Sequence, residues 1–405
     1  MDANHDLPRD VPGYPNPAAP DAIDYDANRR EIVDYFTARQ ARLEVVKTTT
    51  TPRGQTIDWV PIESQYPGGK IATPPPEHRP HDDEASDRRD THAIGELAQG
   101  GCEVGPPGTV PILRKKLEAL SYSQPLRRYL SKMRAPVPDE GPFTLLPPGP
   151  GRGTHWYGNS KESKICWGAE GQFSCFAPFV ASKAQSSIIQ MALTNSDLPA
   201  KQTVEAGWQT YHEITGDFLP HLFVYYTTNG YALDADNVGG YNRDVDGWIQ
   251  HDNVIFPGTT FAPLSRIDGE QRKISLKFQH FRDNWWLSCQ GRWVGYYPGR
   301  LFMGNQSVFS TLGDHADHVG FWGEVASRES TATTTDMGSG RFPSEGFGKS
   351  AYFHHLRVQA DRVGGMISYR GGSSRTDKNL YDIDAHFDSD GNWGSFAFVG
   401  GPGAV

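Results

Sequence analysis

The sequence predicts an all-β catalytic domain, built as an antiparallel β-sandwich and preceded by a smaller mixed α+β segment. Three observations lead to this prediction. Glycine, proline and aromatic residues are abundant, with 44 Gly, 30 Pro and 20 Phe in 405 residues, a composition typical of short strands joined by turns. From about Thr154 onward, short apolar runs are separated by turn sequences such as Asn229-Gly and Asp268-Gly. No stretch alternates strands with helices as a βαβ unit would.

The strand candidates share apolar, β-branched and aromatic residues, with a turn sequence near each end. They are residues 186–193, 204–211, 221–228, 273–280, 284–289, 292–297 and 320–326. Strands of this length at this spacing favour a sandwich or a barrel.

The chain divides by composition into four regions. They are a flexible, Pro/Asp/Ala-rich tail at 1–27, a mixed α+β segment at 28–135, a Pro/Gly-rich linker at 136–153 and the β domain at 154–405. The linker is expected to be exposed and open to proteolytic cleavage.

Within the second region, apolar spacing near 3.6 predicts a helix over residues 28–47, and Ile57–Pro61 predicts a short strand. Residues 72–101 are expected to be a linker. Leu113–Arg134 is basic and has leucines spaced for helices on either side of Pro125. It is either a solvated basic helix or a basic clamp on an acidic partner domain.

Charge and hydropathy exclude several classes of partner. The net charge of −9 and the absence of a Lys/Arg block argue against nucleic acid, and no run of about 18 apolar residues predicts a membrane span. The first residues are polar and no signal peptide is visible, so the chain is either cytosolic or one from which a signal has been removed.

The four cysteines allow two disulfides in three pairings. Cys166 and Cys175 are candidates to close a hairpin, leaving Cys102 to bridge Cys289, and the alternative is four buried thiols. No CxxC motif or His/Cys cluster has zinc-ligand spacing. We therefore predict neither a metal nor another cofactor.

Two glutamates stand out because each lies alone in an apolar, glycine-flanked strand. Glu205 is in Val204–Tyr211, and Glu324 is in the stretch from Val319 to Ala326. A buried charge costs several kcal/mol unless it is paired, so these carboxylates need a reason to be there. Taken alone, a glutamate on a strand is more often a rim residue.

Strand periodicity assigns neighbours to the two glutamates. Gln209 and Tyr211 share a face with Glu205, whereas Trp208 points to the other face, and Trp322 shares a face with Glu324. Two carboxylates in one cleft fit acid–base hydrolysis of a peptide bond. They also fit a glycoside hydrolase, and a non-catalytic lectin-like module is the third alternative.

Several motifs in order resemble the neprosin family. They are Glu205-Ala-Gly-Trp-Gln, Phe223-Val-Tyr-Tyr-Thr, Gly240-Tyr-Asn, Asn284-Trp-Trp-Leu, Gly295-Tyr-Tyr-Pro and Trp322-Gly-Glu. Upstream, Gly54-Gln-Thr-Ile-Asp-Trp-Val is similar to the activation segment of those zymogens, so the resemblance runs from about residue 30 to 405.

The resemblance implies a secreted glutamic peptidase that cleaves after proline and uses Glu205 and Glu324. It also implies a β-sandwich catalytic domain and a pro-domain that inhibits it and is removed at acid pH. Plant members carry a cysteine pair around the Gly-Tyr-Asn motif that is missing around Gly240 here, which suggests a lost disulfide.

In the mechanism that follows from this resemblance, two neighbouring carboxylates share a proton at acid pH. Glu205 is assigned as the base that activates water and Glu324 as the acid. Gln209 is the candidate oxyanion donor. Trp322, and less directly Trp208 and Tyr211, are candidates to contact a proline ring. Self-cleavage is expected between about residues 137 and 153.

Overall fold

The structure, a computed structural model, describes most of the chain in several stretches. These are residues 24–66, 69–76, 90–120, 122, 124–132, 154–196, 200–304, 311–328, 333–389 and 392–403. The predicted linker at 136–153 and nearly all of the predicted tail at 1–27 lie outside the described residues.

The described chain contains three α-helices and 22 strands. The helices are α1 (Tyr25–Ala41), α2 (Leu126–Leu130) and α3 (His212–Thr215). The strands are β1 (Lys47–Thr50), β2 (Thr56–Pro61), β3 (Asp90–His92), β4 (Ile94–Gly95), β5 (Thr109–Leu113), β6 (Thr154–Cys166), β7 (Gly168–Ser174), β8 (Gln185–Asn195), β9 (Gln202–Tyr211), β10 (His221–Thr227), β11 (Gly239–Tyr241), β12 (Ile249–Gln250), β13 (Phe261–Ala262), β14 (Gln271–Phe281), β15 (Asn284–Cys289), β16 (Arg292–Pro298), β17 (Ala316–Ser327), β18 (Ala351–Gln359), β19 (Ile367–Ser368), β20 (Gly372–Arg375), β21 (Asp382–His386) and β22 (Phe396–Gly400).

Two large sheets form the sandwich. One has seven strands in the order β11-β10-β9-β8-β17-β6-β20, and the other is built on β12-β16-β15-β14-β7-β18-β22-β21. Pairing within both is antiparallel except where β3 joins β14 in parallel. The predicted fold class is confirmed. All seven predicted strands are present, and β15 has the predicted bounds.

The core lies between the two sheets. Val204, Ala206 and Trp208 of β9 face the second sheet and are fully buried. The Trp208 indole donates a hydrogen bond to the carbonyl oxygen of Ser174 at 2.7 Å. Because side chains alternate along a strand, Glu205 must face away from this core, toward the outer surface of the seven-stranded sheet.

The N-terminal segment is woven into the sandwich instead of standing apart from it. Strands β1, β2 and β5 form a small sheet of their own, but β3 pairs with β14 and β4 pairs with β13. The prediction of a linker over residues 72–101 is therefore wrong for residues 90–101. Strands this short are not detected from periodicity, because what stabilises them is a partner strand far away in the sequence.

The predicted basic helix is also largely absent. Strand β5 continues to Leu113, and among the described residues of this stretch only α2 at Leu126–Leu130 is α-helical. The basic side chains instead reach acidic groups on the sandwich. Lys115 Nζ lies 2.6 Å from a carboxylate oxygen of Asp244 and 2.9 Å from the carbonyl oxygen of Ile214. An extended chain makes such contacts more readily than a regular helix.

The predicted disulfides do not form. All four cysteines are free, and Cys166, Cys175 and Cys289 are buried. Cys166 ends β6 in the seven-stranded sheet, whereas Cys175 follows β7 in the other sheet, so the two do not face each other across a hairpin. Burial raises the pKa of the Cys166 thiol to about 12, which keeps it protonated. The alternative of four thiols is the correct one.

Among the helices of the described residues, none is both long and apolar enough to cross a membrane.

Candidate active site

The strand register places Glu205 and Glu324 on one face of the seven-stranded sheet. Strand β8 lies between their strands, with Ala192 opposite Glu205 and Ile188 opposite Glu324. Gln190 lies midway between these two positions on the same face. Both glutamates are fully buried, at 0% exposure. Each needs partners that compensate for lost hydration.

The Glu205 carboxylate is held by hydroxyl donors. Its Oε1 accepts hydrogen bonds from Tyr231 Oη at 2.6 Å and from Thr203 Oγ1 at 2.9 Å. Donors of this kind favour the ionised carboxylate. Tyr231 has a left-handed backbone, with φ of 66°, a conformation that costs about 1–2 kcal/mol in a non-glycine residue.

The Glu324 carboxylate has a different set of partners. Its Oε1 lies 2.6 Å from His155 Nδ1. Its Oε2 accepts hydrogen bonds from Gln190 Nε2 at 3.0 Å and from Trp322 Nε1 at 3.3 Å. A neutral imidazole can accept a proton at Nδ1 as well as donate one. Glu324 therefore has an imidazole partner that Glu205 lacks.

A lysine from the N-terminal segment joins the two carboxylates. Lys132 Nζ contacts Glu205 Oε2 and lies 4.0 Å from Glu324 Oε2. It also lies 3.4 Å from Gln190 Oε1 and 5.1 Å from the centre of the Tyr225 ring. Its side chain is 1% exposed. One buried ammonium thus occupies the space between the two carboxylates.

Asp234 anchors the backbone of the same lysine. Its Oδ2 accepts a hydrogen bond from the Lys132 amide at 3.0 Å, and its Oδ1 accepts one from Tyr225 Oη at 2.7 Å. Burial raises the pKa of Asp234 to about 7, and the charge of Glu205 adds to this, although both hydrogen bonds and the Lys132 charge oppose it. Asp234 is a third acidic group within this site.

The structure brings only some of the predicted site residues next to the glutamates. Trp322 contacts Glu324, whereas Trp208 lies in the core on the opposite face. Tyr211 Oη donates to Glu213 Oε2 at 2.9 Å and so lies near the end of the sheet. Gln209 is fully buried, and within the described residues neither atom of its amide has a hydrogen-bond partner. Its assignment as oxyanion donor stays a prediction.

Gly207 has a packing role that the sequence did not reveal. A Cβ at this position would lie 2.0 Å from the carbonyl oxygen of Ile189 and 2.7 Å from the Cα of Gln190. The glycine therefore permits close approach of β8 to β9.

Sequence reasoning missed Lys132, Gln190, Tyr231 and His155. Gln190 had a usable signal, because it is the one polar residue within Ile188-Ile-Gln-Met-Ala-Leu193. A polar side chain buried among apolar residues needs a partner, as the two glutamates do. Tyr231 and His155 do not differ in polarity from the residues around them as Gln190 does. Lys132 is one cation among several in a basic segment.

Comparison with known protein families shows which family the chain belongs to. The neprosin family matches residues 183–402, which is more than half of the chain. The chain belongs to the neprosin family. Both glutamates, Gln190, Tyr231 and Asp234 lie inside the matched range, whereas Lys132 and His155 lie before it. The resemblance of the residues before 183, including that of residues 28–135 to an activation segment, stays a prediction.

Solved structures with similarity to the chain include two peptidases and a transglycosylase. Scytalido-glutamic peptidase, with a transition state analog inhibitor, is 10% identical with a TM-score of 0.34, covering 60% of this chain and 97% of that one. SCP-B of the eqolisin family, in complex with the tripeptide Ala-Ile-His, is 10% identical with a TM-score of 0.32, covering 62% and 98%. Apo Crh5 transglycosylase is 13% identical with a TM-score of 0.25, covering 56% and 79%.

Neprosin-family membership supports a peptidase, which fits the paired carboxylates of the site. Among the residues that the structure describes, no group of three or more His, Cys, Asp or Glu is arranged to hold a metal ion.

A second buried ionic cluster connects the N-terminal segment of this neprosin-family chain to the sandwich. Asp90, the first residue of β3, lies 2.8 Å from Lys273 Nζ and 3.0 Å from His354 Nε2. It also accepts a hydrogen bond from Tyr352 Oη at 2.9 Å. The cluster is remote in sequence from the glutamates, and its effect is on how firmly β3 is held.

The cluster makes the attachment of β3 sensitive to acid. Burial lowers the pKa of His354 to about 4, despite the opposing influence of Asp90. Burial alone would raise the pKa of Asp90, but His354 and Lys273 outweigh it and hold that pKa well below its usual range. In the unfolded chain, His354 binds a proton below about pH 6.5. The stability that this histidine contributes is therefore present above that pH and is lost as the pH falls toward 4. The Asp90 contribution is lost below about pH 4, in the same direction.

Proposed function

We propose that the chain is the precursor of a secreted glutamic endopeptidase that is active at acid pH and cleaves peptide bonds C-terminal to proline. In this proposal, Glu205 and Glu324 are the catalytic pair, and the N-terminal segment inhibits the enzyme until it is removed. The observation that carries the proposal is Lys132, a buried ammonium from that segment lying between two fully buried carboxylates. A cation at this position excludes both a water molecule and a substrate carbonyl.

The partners of the two glutamates support distinct roles. Glu205 accepts hydrogen bonds from two hydroxyl groups and contacts the Lys132 ammonium, and we assign it as the base. Glu324 lies against His155, Gln190 and Trp322 and is the better candidate for the acid. Once Lys132 is removed, the carboxyl groups of Glu205 and Glu324 lie together without a cation. A single proton shared between them then reduces their mutual repulsion.

The reaction then proceeds by addition of water. Glu205 takes a proton from a water molecule whose oxygen attacks the scissile carbonyl carbon, while Glu324 donates a hydrogen bond to the carbonyl oxygen. Collapse of the tetrahedral intermediate breaks the C–N bond, and Glu324 gives its proton to the leaving nitrogen. The proton held by Glu205 returns to Glu324, so one water is consumed and both residues are restored. Gln190 reaches the space between the carboxylates and is our candidate for stabilising the oxyanion.

The preference for proline rests on the family resemblance and on the aromatic side chains that border the pair. Trp322 and Tyr231 each contact one of the glutamates, so a proline ring next to the scissile bond can pack against an aromatic face. Secretion likewise rests on the resemblance, and fractionation of the producing culture tests it.

The decisive experiment compares the acid-incubated wild type with Glu205→Gln and Glu324→Gln on a proline-containing peptide near pH 3–5. Mass spectrometry assigns the cut. We expect each variant to lose at least about a thousandfold in kcat, because each removes a group needed in the transition state. Glu213→Gln is the matched control, since Glu213 is equally buried but pairs with Arg328 at 3.0 Å. It is expected to stay within about tenfold.

If both glutamine variants keep wild-type turnover, the glutamates are structural and the proposal fails. Hydrolysis of a polysaccharide by the wild type would then favour the glycoside hydrolase. Binding of sugar without any turnover would favour the lectin-like module.

A further inference from the structure

A pocket opens directly beside the two glutamates. It is lined by Tyr157, Asn159, Lys161, Tyr231, Gly320 and Trp322, among others, and we refer to it as the Lys161 pocket. Two of its walls are also partners of the glutamates, because Tyr231 donates to Glu205 and Trp322 to Glu324. Its volume of about 40 Å³ is enough for a small side chain, since a single water needs about 10–15 Å³ by this measure.

The strand register explains why a depression exists here. Glu205, Ala192, Gly320 and Lys161 are successive cross-strand partners on β9, β8, β17 and β6. The two middle positions carry the smallest side chains, so the floor lies low between Glu205 and Lys161. A Cβ at Gly320 would come within 3.0 Å of Trp322 Cζ3. The indole therefore lies close above this floor.

The basic side chains that line the pocket are Lys161, Lys201 and His318, and Lys161 is the one in the cross-strand row of Glu205. This lysine is half-buried, and burial lowers its pKa, opposed by the charge of Asp317. In the part of the chain that the structure describes, no carboxylate lies within ion-pair distance of Lys161. The Asp317 oxygens instead accept from Ser196 N at 2.7 Å and lie 2.6 Å from His318 Nδ1. A half-buried ammonium with an open face toward a pocket favours an anion there.

The N-terminal segment approaches the glutamates from the opposite end of the sheet. The Arg128 carbonyl oxygen accepts a hydrogen bond from Arg328 at 3.3 Å, and Tyr129 Oη donates to the Glu213 carbonyl oxygen at 2.8 Å. Both sites lie past Glu324 and Gln209, away from Lys161. The segment then reaches the glutamates at Lys132. A substrate that follows the same chain direction would place the residue after its scissile bond at the Lys161 pocket.

We propose that the Lys161 pocket is a substrate subsite that binds a carboxylate immediately C-terminal to the scissile bond. The carboxylate belongs either to an Asp or Glu side chain or to the free C-terminus of the substrate. The proposal rests on the peptidase function proposed above. The chain itself contains a matching sequence in Pro138-Asp139-Glu140, where acidic residues follow a proline within the stretch expected to be cut.

The test uses the acid-activated full chain and the peptide Arg-Ala-Pro-Val-Pro-Asp-Glu-Gly-Pro, taken from residues 134–142. Its matched neutral partner has Asn and Gln in place of Asp and Glu, and both are assayed at about pH 5.5, where carboxylates ionise. We expect kcat/KM for the acidic peptide to be about tenfold higher in the wild type, as for one charge-assisted hydrogen bond. Lys161→Met should abolish this preference by lowering kcat/KM for the acidic peptide.

Lys164→Met is the matched control. Lys164 lies on the same strand but pairs with Glu162 at 3.0 Å, so this variant should keep the tenfold preference. Shorter peptides that end directly after the cleavage position, with a free or an amidated C-terminus, identify the source of the carboxylate. A Lys161-dependent preference for the free acid would assign the C-terminus, and a preference confined to internal acidic residues would assign the side chain.

Equal rates for acidic and neutral peptides in the wild type would overturn the inference while leaving the peptidase proposal intact. A preference that survives Lys161→Met would also overturn it. If the wild type cleaves no peptide, tryptophan fluorescence of the full chain decides the inference separately. N-acetyl-Asp-Glu should then change the emission, its Asn-Gln counterpart should not, and Lys161→Met should abolish the difference.

Discussion

On the proposed function, replacement of Lys132 by methionine is expected to release inhibition by the N-terminal segment. Methionine keeps most of the volume of the lysine stem but removes the ammonium from between Glu205 and Glu324. The two carboxylates would then face each other without a cation while the segment remains closed. The closed state becomes less stable relative to an open one, so the uncleaved chain should show activity that the wild type lacks.

The size of the effect follows from the burial of all three groups. The Lys132 side chain is 1% exposed and the two carboxylates are 0% exposed. The loss of one partner from such a buried pair costs about 3–5 kcal/mol. At 1.4 kcal/mol per tenfold, the open fraction should rise by about a hundredfold to several thousandfold.

A pH-jump assay measures this directly. Each precursor is held at about pH 6.5, brought rapidly to about pH 4.5, and its peptide hydrolysis is recorded in the first minute, before cleavage accumulates on a gel. Lys115→Met is the control, because Lys115 pairs with Asp244 at 2.6 Å in the same basic segment but does not touch the glutamates. We expect an immediate rate from Lys132→Met and a lag from both Lys115→Met and the wild type.

Two results would refute the reasoning. One is a Lys132→Met precursor that shows the same lag before peptide hydrolysis as the wild type. The other is an equal early rate from Lys115→Met, which would mean that any weakening of the segment suffices and that the position of the ammonium is irrelevant.

Three further predictions concern the site, the acid response and the thiols. Gln190→Ala should lower kcat by about a hundredfold or more, whereas Gln209→Ala should change it by a few-fold, and the reverse order in steady-state kinetics would return the oxyanion role to Gln209. The melting temperature of the precursor should fall between pH 6.5 and pH 4, because burial lowers the pKa of His354 in the folded chain and the unfolded chain therefore binds the proton more readily. His354→Gln should flatten this pH dependence, and an unchanged slope in calorimetry would exclude the histidine as its source. A thiol-reactive dye should count four thiols in the denatured chain without reductant, and a count of zero would contradict the structure described here.

The strands were predictable because their signal is local. Each of the predicted strands carries enough apolar and β-branched residues to be recognised alone, and β14 and β15 are joined by a turn at Arg282-Asp283 in which both residues have positive φ. Strands β3 and β4 have no such signal. They are three and two residues long, and what stabilises them is a partner strand more than 150 positions away, which no window of sequence contains.

The pairing of the glutamates was predictable in part for the same reason. A lone carboxylate in an apolar strand indicates that something compensates for its charge, and this holds for Glu205 and Glu324 alike. What compensates could not be predicted, because Lys132 is 73 positions from Glu205 and is one of several basic residues in Leu113–Arg134. Gln209 was predicted because period-two reasoning identifies neighbours along one strand, whereas Gln190 lies on the adjacent strand β8.

The weaving of β3 and β4 into the sandwich changes what a proteolytic cut can achieve. A cleavage in the linker at 136–153 breaks one covalent bond but leaves the backbone hydrogen bonds of β3 to β14 and of β4 to β13 in place, together with ion pairs such as Arg39 to Asp246. The product is then a two-chain complex whose activity is governed by mass action. Concentrated enzyme would remain largely bound to its own excised segment, dilution would raise the specific activity, and the excised segment added back would act as an inhibitor with a measurable dissociation constant.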